Sequence, residues 1–121
     1  MAYRIETTQR STHIYVQFFG DWLEGEGETI LGEIFAAVAA SGHTRALVDY
    51  TAAGRMESGT WMDFGEASYA ASLPRVGAYR FSVLFKPEDV RRFTFWETVA
   101  VNRGVSMRCF DDEARAIAWL E

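Results

Sequence analysis

A chain of 121 residues suits one ordinary domain and is too short for two. Hydrophobic residues make up 49% and charged residues 24%. That mix can bury a core without disulfide staples, since a domain of this size hides roughly two-thirds of its unfolded surface. The net charge of −5 sets the surface against phosphate backbones, so nucleic acid is not an expected partner unless a local basic patch exists.

The nearest such patch is Arg91, Arg92 and Arg103. They stand at helical spacing among acidic neighbours and read as a solvated helix face. The opening Met-Ala-Tyr-Arg-Ile-Glu lacks the apolar stretch of a secretory signal. No uninterrupted apolar run reaches the roughly 18 residues that span a bilayer. The lone Cys109 cannot form an internal bridge and fits a reducing compartment. The expectation is a cytoplasmic protein with no membrane span.

Tyr3 to Thr8 alternates apolar and polar side chains, the period of a half-buried strand. A polar turn over residues 9–12 leads to a second strand, His13 to Phe19, and so short a connection favours an antiparallel hairpin. From Glu28 the period becomes helical, with Ile30, Ile34, Phe35 and Val38 on one stripe and Ser41-Gly42 as the stop. Arg45 to Tyr50 reads as an interior strand and Thr51 to Glu57 as a loop. Ser58 is positioned to cap a helix running to about Leu73, before Pro74.

Arg80 to Phe85 is the next strand, and Pro87 opens a helix that turns Val90, Phe93, Trp96, Val99 and Ala100 inward and closes at Gly104. Val105 to Phe110 is the last strand, after which Asp111 caps a final helix. The order β-β-α-β-α-β-α-β-α predicts one α/β domain over 1–121. Its sheet is five-stranded and mixed, parallel apart from one edge strand, with right-handed crossovers. Parallel strands usually need cover on both faces. Four helices all on one side would leave the other face polar or covered by a partner.

No motif supplies a reaction. Gly25-Glu26-Gly27, with Gly32 beyond, has the wrong spacing for a dinucleotide fingerprint, and Glu24, Glu26 and Glu28 would repel a phosphate. His13 and His43 lie thirty positions apart with no ligand at metal spacing. Cys109 falls in an expected buried strand, where a thiol acts as a small apolar group. Asp111-Asp112 is explained as a helix start. No catalytic residue, metal or cofactor is expected. The aromatics leave more room: Trp61, Phe64, Phe95 and Trp96 cannot all face inward from two helices, so some could line a pocket or an interface.

With its opening hairpin, the strand Ala46-Leu47-Val48-Asp49-Tyr50 and the closing stretch MRCFDDEARAIAWLE, the chain resembles the STAS-like (SpoIIAA-like) superfamily. That is the fold of bacterial anti-sigma-factor antagonists and of many uncharacterised bacterial proteins, and the resemblance covers almost the entire length. In the antagonists a strand ending in Asp leads to Asp-Ser-Ser-Gly at a helix start, where phosphorylation of a serine by the partner kinase breaks the complex. Here the corresponding stretch runs from Asp49 and Thr51 to Glu57-Ser58-Gly59, with Glu for Asp, one serine for two and a loop one residue shorter.

A phosphate on Ser58 would meet a helix N-terminus, yet plain capping accounts for the same serine. Two functions of different kinds follow. One is a non-enzymatic regulatory module, expected as a homodimer, that binds a protein partner around Ser58 and possesses or lacks the phosphoswitch. The other is a binder of small apolar ligands, with an aromatic pocket between the helices bearing Trp61 and Trp96.

Overall fold

Alternation along the first two segments produces the hairpin expected of it, β1 (Tyr3–Gln9) antiparallel to β2 (Ile14–Trp22). The computed structural model describes residues 3–121. Among these, β3 (Arg45–Asp49), β4 (Ala53–Met56), β5 (Arg80–Leu84) and β6 (Ser106–Phe110) complete one mixed sheet. Its main path, β1-β2-β3-β5-β6, has the five strands expected from the sequence, parallel everywhere except at the β1 edge. The helices are α1 (Gly27–Ala40), α2 (Thr60–Ala71), α3 (Val90–Asn102) and α4 (Glu113–Leu120).

One strand goes beyond that expectation. β4 forms inside the stretch read as a loop and pairs in parallel with the far end of β2, Gly20 opposite Ala53 and Trp22 opposite Met56. The ladder is irregular there, and Gly20 takes a φ of 100°, a left-handed conformation that glycine adopts without penalty. Four residues with two small ones, Ala53 and Gly54, carry too little strand pattern to be read in advance.

The helices divide between the two faces. Ile14, Val16, Phe18, Val48, Phe81 and Val83 form the larger core with residues of α1 and α3. The opposite face buries Leu47, Leu84 and Phe110 under Ala116 and Leu120 of α4. Ser82, fully buried on that face, donates to the Ala116 carbonyl at 2.8 Å. This is why β3 and β5 read as nearly continuous apolar runs: both of their faces are covered. The part of the second face left open, on β1 and β2, carries Arg4 and Glu6 as an exposed ion pair, with the Arg4 guanidinium 4.1 Å from the Phe19 ring.

Two caps move by one residue. Gly59, not Ser58, is the N-cap of α2, and it lends no side chain. Asp112, not Asp111, caps α4 by accepting from the Ala114 amide. Cys109, expected to be buried, is half-buried on β6, and desolvation, reinforced by Glu97, pushes its thiol up, away from thiolate chemistry. Among the described residues no helix is long and apolar enough to cross a membrane.

His13, where the hairpin turn enters β2, is 3% exposed and leaves its Nε2 without a partner. Burial, with Arg10 and His43 adding to it, holds the imidazole below its ordinary 6.5. The unfolded chain takes up this proton near pH 6.5, whereas the folded chain does so only at lower pH. Stability from this group is therefore complete above pH 6.5 and declines as pH falls below it. Urea midpoints between pH 7.5 and 5.5 should show that decline in the wild type and a flatter profile in His13→Gln.

Candidate functional site

The segment from Asp49 to Gly59 leaves the carboxyl end of β3, where parallel α/β sheets usually place their functional loops. Asp49 is buried and organises the first turn: its Oδ1 accepts from the Thr51 amide and hydroxyl at 2.8 and 2.6 Å, and its Oδ2 accepts from the Tyr15 hydroxyl. Burial, and then this bond, push the Tyr15 phenol up. Side chains alternate along a strand, so Asp49 shares the face of Leu47, toward α4. Asp49 and Thr51 thus build the turn. Glu57, Ser58 and Gly59 form a second group at the start of α2.

Between the two groups the chain is held by several bonds. Lys86 donates its Nζ to the Ala53 carbonyl, the Arg55 amide donates to Asp21, and the Glu57 amide donates to the Trp22 carbonyl at 2.8 Å. The Glu57 carboxylate accepts from the Glu24 amide. Ser58 is exposed, and its Oγ donates to Oδ2 of Asp63 at 2.6 Å. The hydroxyl expected to cap the helix backbone is committed to a side chain one turn along.

Asp63 belongs to a buried ionic cluster. Arg92 of α3, 6% exposed, lies 3.3 Å from Asp63 Oδ1 and 3.2 Å from Glu66 Oε1, and also donates to the Glu57 carbonyl. Its guanidinium stands 5.1 Å from the Trp22 ring centroid, and the Trp22 indole donates to Glu66 Oε2 at 2.9 Å. The Glu66 carboxyl is raised by burial, partly offset by Trp22 and Arg92. The solvated basic face expected over Arg91, Arg92 and Arg103 is corrected here. Arg91 and Arg103 are exposed, but Arg92 is an interior cation paired with two acids. A readable sign was present: Arg92 precedes Trp96 and Val99 on α3's buried stripe, and Asp63 and Glu66 share a stripe with Ala67.

The aromatics separate cleanly. Trp61 is 86% exposed, and Phe64 lies at the surface beneath Arg103. Phe95 is half-buried against the core, and Trp96 is buried. A single pocket between Trp61 and Trp96 does not form, because the ionic cluster occupies the seam between their helices. Trp61 and Trp96 border different concavities instead. A surface groove of about 500 Å³ runs between the start of α1 and α2, lined by Gly25, Glu28, Thr29, Trp61 and Gly65. An apolar, partly open cavity of about 70 Å³ is walled in part by Tyr50, Val83, Phe93 and Trp96.

Similar folds are found among solved structures. An anti-sigma factor antagonist from Mycobacterium paratuberculosis matches with a TM-score of 0.67 at 14% identity, covering 98% of this chain and 93% of that one. SpoIIAA in its unphosphorylated form matches with a TM-score of 0.53 at 16% identity, covering 96% of each chain. An uncharacterised DUF3478 family protein with a SpoIIAA-like fold, from Shewanella loihica PV-4, matches with a TM-score of 0.52 at 19% identity, covering 99% of this chain and 94% of that one. No family model and no curated protein matches the sequence. The chain has a SpoIIAA-like fold, as its resemblance to that superfamily implied.

Arg92→Met would strand two buried carboxylates, and a loss of about 3–5 kcal/mol is expected in urea denaturation. Gly27 supplies a second test, since a Cβ there would fall 1.8 Å from Glu66 Oε2. Gly27→Ala should destabilise by displacing that carboxylate. Gly65→Ala, with open space around it, should instead stabilise by up to about 1 kcal/mol through helix propensity.

Proposed function

We propose that this chain is a non-enzymatic regulatory module that binds a protein partner at the start of α2, through Glu57, Ser58, Gly59 and Trp61. The observation that carries the reading is Trp61. An indole left 86% exposed, beside a groove floored by glycine, has the make-up of an interface anchor awaiting its pocket. Glu28 stands exposed in the same groove and Glu24 is exposed one residue before its Gly25 edge, so the partner surface is basic around an apolar centre. Two fold neighbours are anti-sigma factor antagonists, which agrees with a regulatory role, and a cytoplasmic setting belongs to the same reading.

Ser58 is the natural control point. Its side chain is exposed and tied only to Asp63, so a phosphate there would face a carboxylate while gaining the amides of the helix start. The fold would survive, since α2 takes its backbone cap from Gly59. The binding face would acquire charge at its centre. Asp49 and Thr51 enter this proposal as the turn that positions the loop.

The test compares proteins retained from host extract by the wild type, Trp61→Ala, Ser58→Asp and the distant control Arg115→Ala. A discrete protein held by the wild type and the control, lost with the other two, and then forming a purified complex weakened at least tenfold by each change, is the expected result. Equal retention by all four overturns the proposal. Sedimentation distinguishes a second copy of the chain as the occupant: a concentration-dependent dimer abolished by Trp61→Ala assigns the surface to self-association, and a monomer assigns it to another protein.

A further inference from the structure

We infer that the cavity beneath α2 is a binding site for a small, uncharged, apolar molecule, separate from the surface at Ser58. α2 packs on α1 and α3 rather than on the sheet. The α2 side chain that borders this space is the short Ala70, followed by Leu73 just past the end of the helix. With so short a side chain as Ala70 on a helix held off the sheet, a space of about 70 Å³ remains over Tyr50 and Val83, with Phe93 and Trp96 as one wall.

The lining specifies the ligand. Arg92 is its charged member, and that guanidinium is already engaged by Asp63, Glu66 and the Glu57 carbonyl. An anion would have to displace two carboxylates, and a cation would meet Arg92 itself. Apolar cavities accept apolar guests; an enclosed one of about 150 Å³ takes benzene or xenon. At about half that size, this one admits a guest of a few heavy atoms, larger only if α2 lifts. Met56 and Met107 in the lining are pliable enough to adjust around such a guest.

Xenon is the probe. Methyl spectra of the intact protein under rising xenon pressure should show saturable shifts at Met56, Met107 and Val83, with the Trp61 indole unmoved. Ala70→Leu, which fills the space from the roof, and Val83→Ile, which fills it from the floor, should each weaken binding at least tenfold. Both are expected to keep the wild-type circular dichroism, and either alone suffices if the other fails to fold. Shifts that rise linearly without saturation, or saturable binding undiminished in the folded filling variants, would overturn the inference. Neither result depends on whether a protein partner binds at Trp61.

Discussion

The position of α2 depends on one buried cation. A helix usually docks by laying an apolar stripe against its neighbours, but α2 offers Asp63, Glu66 and Ala67 as its buried residues. Little apolar area is available there, so the Arg92 guanidinium supplies the attachment. It reaches both acids, the Glu57 carbonyl and the Trp22 ring. A buried ion pair adds little net stability over an apolar contact of equal volume. What it supplies is position, because a guanidinium with three fixed partners admits few arrangements. The groove, the exposed indole and the apolar cavity all follow from where that cation holds the helix.

The sheet shows a different economy. β3 and β5 are covered on both sides, and a short C-terminal helix suffices for the second face because only β3, β5 and β6 need it. The hairpin strands turn charge and hydroxyls outward on that side instead. The open part of that face is therefore polar rather than apolar.

Much of this was legible in the sequence. Strand and helix order, the antiparallel edge and the parallel interior follow from periods of 2 and 3.6 and from connection length. What escaped was long-range. β4 exists because β2 overruns β3 and leaves Gly20 to Trp22 free to pair, which no local pattern announces. Arg92 was misread because single-helix reasoning assigns an arginine to water. Its partners sit on another helix, and only the coincidence of two acids on one inward stripe with a cation on another betrayed the pairing. Ser58 was misassigned as a cap for a similar reason: its hydroxyl had a better acceptor in the Asp63 carboxylate.

The stitching of the loop after β3 bears on how recognition would proceed. Loops of this length ordinarily sample many conformations, and a partner that selects one must absorb the lost entropy. Here β4 is zipped to β2 and the segment is anchored at Asp21, Trp22 and Lys86. The surface around Ser58 is thus assembled before any encounter. Association with a rigid face of this sort tends toward lock-and-key kinetics, with affinity set by how slowly the complex comes apart.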